Sequence, residues 1–405
     1  VPSQPQTPLA RHGRQKVVRP WATLIRIFFV AVAVVAVSAL SVSAVAVWQV
    51  GTKLTKNTVA LIGHTDGPPP SIGAIEGGVN VLIAASDSGG GDVKAFGKRG
   101  ERLNDVTMLL HISADHQHAT VVSFPRDLII PIASCPNGNG GSFPAQTNKM
   151  NVALTYGGLP CIVKTVENLT GLSIPYAALT EFQGVVGMSN AVGGVTVCIA
   201  TPIHDEKIPF NLDAGEQTLV GIQAVQFLRV RYGLGDGSDL ARISNQQLFL
   251  SALVRKIKTP ETLGNPVKVY EIANAVASNM TLSSSLANIN TIASIGIAVK
   301  DIRFEDVVFV QYPGGYGSTA GLNGVLPSVA ADRVLITALQ KDQPIALTGQ
   351  TGDGTKLDPN APATPDPTST DPAPTDSGTA AVALPSSVSG QTAAQSTCTK
   401  GQRAG

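Results

Sequence analysis

VTMLLHISADHQHATVVSFPRD (106–127) reads as two β-strands joined by a tight turn. VTMLLHIS (106–113) and ATVVSFP (119–125) are dense in apolar residues, and the ADHQH between them is polar. Arg126 and Asp127 follow the second strand, so charge stands at its exit. Upstream, VNVLIAAS (79–86) is a third apolar run that ends in Asp-Ser-Gly-Gly-Gly, as a buried strand followed by a loop would. GGVTVCIA (193–200) and VVFVQYP (307–313) read as later strands. CIVKTVENLTG (161–171) has helical spacing and a terminal glycine stop. GIQAVQFLRVR (221–231) and SDLARISNQQLFLSALVRKIK (238–258) read as consecutive helices. In the second, Ser238 or Asp239 is placed to accept hydrogen bonds from the free N–H groups of the first turn. Strands interleaved with helices predict an α/β (α+β) fold, a mixed central β-sheet flanked by helices.

Outward from this region the chain changes character. Ile27 to Trp48 is apolar without a single charge, and the segment before it carries Arg11, Arg14, Lys16, Arg19 and Arg26 with no acid. About 20 apolar residues cross a bilayer as a helix, and a basic flank stays in the cytoplasm. Residues 1–26 are therefore expected in the cytoplasm, 27–50 as a transmembrane helix and the rest outside the cell membrane. A signal peptide cleaved after Ala44-Val45-Ala46 is the alternative, but its apolar core usually runs only ~7–15 residues. Residues 51–78, with GPPP at 67–70, read as a stalk. The folded part divides into 79–260 and a C-terminal part, 261–347. From Thr351 the composition shifts, and DPNAPATPDPTSTDPAPTDSG (358–378) predicts a disordered Pro/Thr/Asp-rich tail over 351–405.

The 405 residues carry a formal net charge of +1, which argues against a nucleic-acid partner; an anion must be met by a local cluster instead. Cys135, Cys161, Cys198 and Cys398 fit an oxidising compartment and match no zinc or redox spacing. Three connectivities are open; the favoured one joins Cys398 to Cys198 and Cys135 to Cys161, against a tail that hangs free.

Basic and acidic residues recur together at strand ends and helix starts: Asp87, Arg102, Asp105, Arg126, Asp127, Lys149, Arg229, Arg231, Asp239, Arg242 and Gln246. The helical period stacks Asp239, Arg242 and Gln246 on one face. Arg229 and Arg231 share a face only if the chain is extended there, which predicts a helix end near Phe227. Two aspartates at neighbouring strand ends suit a hard divalent cation. Converging guanidiniums suit phosphate, since each donates two parallel hydrogen bonds. Together these are parts for phosphoryl transfer.

NVLIAASDS, NDVTMLL, VVSFPRDLIIPI, NKMNVALTYGG, KTVENLTGL, FQGVVGMSNAVGGVTVCI, LDAGEQTLVGIQAVQFLRVRY and DLARISNQQLFL, in this order, resemble the LytR-CpsA-Psr family over roughly 79–258. The region 300–347 and the terminal GQTAAQSTC block resemble actinobacterial members. The resemblance implies a phosphotransferase that takes an anionic glycopolymer from a polyprenyl-pyrophosphate carrier. It joins the polymer to peptidoglycan through a phosphodiester at the muramic acid 6-hydroxyl. Arabinogalactan is the implied cargo where that layer exists, teichoic acid or capsule elsewhere. Asp87 and Asp105 match metal ligands for Mg²⁺, with Mn²⁺ as a substitute. Arg102, Arg126, Lys149, Arg229, Arg231, Asp239, Arg242 and Gln246 match the pyrophosphate-binding set, with Arg126, Asp127 and Arg242 expected closest to the chemistry. Asp127 and Asp239 would orient the arginines. The lipid tail is expected in a groove lined by helices near 161–171 and 184–192. Two departures stand out: Ser88 is followed by Gly89 where the family places arginine, and Arg102 sits three rather than two before Asp105, so that either Arg102 reaches the site from a shifted loop or Arg99 takes its place. The alternatives in other classes are a polyprenyl-pyrophosphate hydrolase and a non-catalytic polyprenyl-phosphate-binding regulator.

Overall fold

The computed structural model describes residues 20–65, 75–86, 102–208, 210–361 and 380–402. The chain forms two compact units, one running to Gln49 and one from Val50 onward. The first, over its described residues, is helix. That helix, Pro20–Leu54, contains a stretch from Leu24 to Leu54 with mean hydropathy 2.5. Its length and composition fit a single-pass anchor, because ~20 helical residues already span the hydrocarbon layer.

The second unit is built on an eight-stranded mixed sheet. Its order across the sheet is Thr58–Val59, Met280–Ser283, Tyr176–Thr180, Val79–Ser86, Asn104–Ile112, Ala119–Phe124, Val307–Gln311 and Gly390–Thr392. The hairpin at the centre pairs Ile112 with Ala119 and Thr107 with Phe124. Its turn is tight enough that His116 takes a φ of +55°. Because side chains alternate, Leu82 and Ala84 face one core while Val79 and Val81 face the other. The first core is covered by the helix Ala153–Thr170, which Gly171 ends at a φ of +67°. The second lies under the helices Pro266–Asn279 and Ile289–Lys300. A smaller sheet of Gly215–Leu219, Val195–Thr201, Thr397–Lys400 and Thr355–Leu357 packs on the helices Ile222–Arg229 and Asp239–Ile257.

Three boundaries differ from the sequence reading. The expected stalk is part of the globule where it is described: Val50, Leu54 and Leu61 are buried and Thr58–Val59 is a sheet strand. A segment of mixed polarity reads as a spacer until its few apolar residues find a core. The division at 260 is no domain boundary, since strands from both sides of it share the large sheet. Nor is the whole of 351–405 a disordered tail. Residues 362–379, most of the Pro-rich stretch, lie outside the described residues, but Gly390–Thr392 and Thr397–Lys400 enter the two sheets. Low hydropathy hid these strands because Gly, Gln, Thr and Cys supply little apolar pattern. Both disulfides take the favoured pairing, Cys135–Cys161 and Cys198–Cys398. Cys198 stands directly opposite Cys398 on parallel strands.

Candidate active site

Charge from three elements meets at one end of the sheet. Asp105 lies near the start of its strand, Arg126 and Asp127 follow Phe124 after Pro125, and the helix Asp239–Ile257 brings its first turn against both. Ser238 is the cap of that helix, accepting from the Ala241 N–H at 3.0 Å. The Asp239 side chain is thereby left for other work. It is fully buried and lies 2.5 Å from Arg242 Nη2, one turn along the helix.

The ion pairs interlock. Arg126 Nη1 donates to Asp105 Oδ1 at 2.7 Å, and its Nε lies 3.7 Å from carboxylate oxygens of both Asp127 and Asp239. Arg242 Nη1 is 3.9 Å from Asp105 Oδ1, and Nη2 donates to the Asp105 carbonyl oxygen at 3.3 Å. Lys149 Nζ lies 3.3 Å from Asp127 Oδ1. Burial works against the Arg126 charge, but the hydrogen bond and charge of Asp105, with Asp239 and Asp127 behind it, outweigh burial and raise its pKa. Arg126 and Arg242 each keep a buried Nε–H that no acceptor among the described residues takes. Guanidiniums fixed by carboxylates, with the Arg126 side chain still partly exposed, are a ready site for phosphate.

The remaining sequence-predicted residues fall around this cluster. Gln246 Nε2 donates to the Leu228 carbonyl at 3.1 Å and Asn245 Nδ2 to that of Phe227 at 2.9 Å. They satisfy the last carbonyls of the helix Ile222–Arg229, which runs two residues past Phe227 before Val230 turns extended. Arg229 packs over the Phe182 ring at 4.6 Å. Arg231 is not part of the cluster. Its Nε donates to the Gly237 carbonyl at 3.1 Å, and Asp205 accepts the N–H groups of Arg231 and Tyr232, so it braces the 230–238 loop. Arg102 pairs with Glu181 at 2.8 Å, both partly exposed. Asp87 and Arg99 lie outside the described residues. Ser86, next to Asp87 in the chain, pairs with Asn104, next to Asp105.

An apolar groove opens beside the charges, about 750 Å³ including its mouth. Ile83, Val106 and Met108 form its floor, and Phe182, Val225 and Leu250 come from three helices above. Asp105, Arg229, Arg242 and Gln246 line its charged end. Of the two helices expected to line it, only Phe182–Ala191 does; residues 161–171 pack in the core on the opposite face of the sheet. The reason is strand alternation: Ile83 faces the groove, so Leu82 and Ala84 face the 161–171 helix.

Asp205, Glu181 and Tyr316 were not singled out from sequence. Tyr316 belongs to a hairpin, Gly314–Thr319 with Leu322–Pro327, and its hydroxyl accepts from the Asp239 backbone N–H at 2.9 Å. The signal was the GSTAGLNG run, whose Ala320-Gly321 turn has both φ angles positive.

A mixed sheet with an arginine–aspartate cluster at the head of an apolar groove defines a protein of the α/β class suited to amphiphiles with anionic heads. The LytR_cpsA_psr family model matches residues 49–335, and the chain belongs to that family. It is 34% identical over 224 residues to the probable cell wall biosynthesis protein LcpB of Corynebacterium glutamicum, covering 53% of this chain and 51% of that one. It is 27% identical to the polyisoprenyl-teichoic acid–peptidoglycan teichoic acid transferase TagU of Enterococcus faecalis, covering 53% of this chain and 64% of that one. The chain thus spans about half to two thirds of these curated relatives. The LytR-Csp2A-Psr enzyme from Actinomyces oris shares the fold, with a TM-score of 0.51 at 20% identity over 70% of this chain and 96% of that one.

Proposed function

We propose that the protein is a membrane-anchored phosphotransferase that moves a glycopolymer from a polyprenyl-pyrophosphate carrier to peptidoglycan, forming a phosphodiester at the muramic acid 6-hydroxyl. The observation that carries this reading is the junction of groove and cluster. Asp105, Arg229, Arg242 and Gln246 border the apolar groove, while Asp105 and Arg242 also belong to the ion-pair network. A prenyl tail in the groove leaves its diphosphate among the guanidiniums. The TagU relative is named for transfer of a polyisoprenyl-linked polymer to peptidoglycan, a donor with the same two-part chemistry. On this reading the helix Pro20–Leu54 crosses the membrane with its basic flank in the cytoplasm and the globule outside. The cargo class is arabinogalactan or teichoic acid.

The protein's own residues mainly position and neutralise. Arg126, Arg242 and Lys149 spread charge off the diphosphate, and Asp239 and Asp127 hold them in place. A sugar hydroxyl attacks the polymer-side phosphorus, the bond to the bridging oxygen breaks, polyprenyl phosphate departs and the hydroxyl proton is released. Asp105 uses Oδ1 on the arginines, and its Oδ2 has no partner among the described residues, so its donor chemistry fits a hard cation. Asp105 with Asp87 would hold Mg²⁺, or Mn²⁺ in its place. Such a cation, when bound, neutralises oxygen charge on the diphosphate.

The test is reconstitution of the full chain in vesicles with a lipid-pyrophosphate oligosaccharide and peptidoglycan, with and without Mg²⁺, followed by linkage analysis. Arg126→Ala and Arg242→Ala should each cut conjugate formation at least 100-fold, the scale seen when one charge-stabilising donor is lost. Full ligation by both variants, or free polymer phosphate as the sole product of the parent chain, would overturn the reading.

A further inference from the structure

We infer that the hairpin 314–327 is the acceptor-side wall of the site and that Tyr316 hydrogen-bonds the glycan that receives the phosphoryl group. The inference rests on the transferase reading and assigns to it the direction of attack.

The groove and the cluster are arranged in sequence. Arg229 and Gln246 line the groove, Asp105 and Arg242 belong to both, and Arg126, Asp127, Lys149 and Asp239 lie beyond it. A diphosphate whose lipid end enters the groove therefore has its far phosphorus toward Arg126 and Lys149. In-line displacement at that phosphorus requires the nucleophile opposite the departing lipid phosphate. The acceptor must then come from the side away from the groove, and the hairpin stands on that side.

Its base is pinned to the cluster. The Val325 N–H donates to the Asp127 carbonyl at 2.9 Å, and Leu128 and Val325 bridge in parallel. Gly324 approaches so closely that a Cβ there would lie 2.3 Å from the Asp127 carbonyl oxygen. Tyr316 pairs across the hairpin with Val325, and Ser318 with Asn323. The two-residue period puts Tyr316, Ser318 and Asn323 on one face with Val325, which is buried at the base of the hairpin while the other three are exposed. Tyr316 is 54% exposed although its hydroxyl is fixed by the Asp239 N–H. That bond uses an oxygen lone pair, and the hydroxyl hydrogen has no acceptor among the described residues. Ser318 Oγ donates to Asn323 Oδ1 at 2.5 Å, which points the exposed amide toward giving its own N–H groups away.

The chemistry of this face selects the occupant. GGYGSTAGLNGVLP (314–327) carries no charged residue. An anionic polymer would call for lysine or arginine, as the cluster itself does. A phenol face with hydroxyl and amide donors instead suits a hydroxyl-rich sugar chain, whose C–H face lies on the ring. Transfer balances as a new bond from the acceptor oxygen to phosphorus, loss of the bond to the lipid phosphate and release of the hydroxyl proton.

The test measures steady-state transfer by the full chain with a peptidoglycan-derived glycan oligomer as acceptor, varying donor and acceptor separately. Tyr316→Phe should raise the acceptor KM at least fivefold and the donor KM less than twofold. Asn323→Ala, far from the arginines, should raise the acceptor KM at least threefold. An unchanged acceptor KM, or equal rises for donor and acceptor, would overturn the inference while leaving the transferase reading intact. Calorimetric titration of the same oligomer into the parent chain and Tyr316→Phe gives an arm independent of turnover. Affinity weakened at least fivefold in Tyr316→Phe supports the inference; if no conjugate forms with the parent chain, the transferase reading falls and the acceptor role assigned to Tyr316 falls with it. Equal affinities, or no binding by the parent chain, sink it.

Discussion

Asp239 and Arg242, one helical turn apart, close to 2.5 Å with the carboxylate wholly out of water. Such a pair is costly to desolvate, and its value shows mainly when one half is taken away. The same carboxylate also faces Arg126 at 3.7 Å, so one buried acid sets the position of both guanidiniums.

Asp239→Asn should therefore damage two things at once. Stability should fall by about 3 kcal/mol, the lower end for breaking a buried pair, and transfer should drop at least 100-fold. Urea unfolding and a conjugate assay on the same preparation check both. An unshifted unfolding midpoint would show that the charge is dispensable.

Filling the groove should separate tail recognition from head recognition. Val185 lines it and is only partly buried, so Val185→Trp places a ring where the tail would lie. The KM for a long-chain donor should rise about tenfold, as each excluded CH₂ forfeits ~0.8 kcal/mol of burial. A short-chain water-soluble donor should be nearly unaffected. Equal effects on both donors would place the tail elsewhere.

The two disulfides close loops of very different length, 26 residues for Cys135–Cys161 and 200 for Cys198–Cys398. On the chain-entropy account, replacing the longer pair with serines should cost about 2 kcal/mol more than replacing the shorter. Thermal unfolding of the two double variants measures the difference. The reverse order would mean that local packing around Cys135 outweighs loop closure.

Burial pushes the Asp332 carboxyl up to about 6, against the lowering effect of the Tyr312 hydroxyl. The folded chain thus keeps a proton that the unfolded chain has released, and stability falls as pH rises from about 4 to 6. Asp332→Asn removes that loss. It should be more stable than the parent by on the order of 1–2 kcal/mol at pH 7.5 and little different at pH 4, read by chemical denaturation at each pH.

The sheet was legible where apolar patterning is strong. The 106–127 hairpin and the strand at 79–86 carry their period in Val, Ile and Leu, and the observed strands match them closely. Asp105, Arg126, Asp127, Asp239 and Arg242 meet in one cluster as expected, although each alone reads equally well as a local ion pair or a helix cap; their order along the chain and the family resemblance singled them out. Arg231, placed with the pyrophosphate-binding set by the family resemblance, instead makes its contact with the Gly237 carbonyl, and no ion pair joins it to the cluster among the described residues. The contact of Tyr316 went unread for a different reason, although the GSTAGLNG run marks its hairpin. Its partner is a backbone N–H at Asp239, and backbone donors leave no trace in residue type. The strands at 390–400 went unread because their pairing rests on Thr, Gln and Gly, which suit a strand only once a neighbour is present.

Residues 397–402 also hold the loop that leads into the Asp239 helix. Lys400 accepts from the Gly235 N–H, the Gln402 N–H reaches the Gly233 carbonyl, and Thr399 meets Asn245. The last strands therefore do two jobs at once, closing the edge of the large sheet through Gly390–Thr392 and fixing the entry to the Asp239 helix through Lys400 and Gln402.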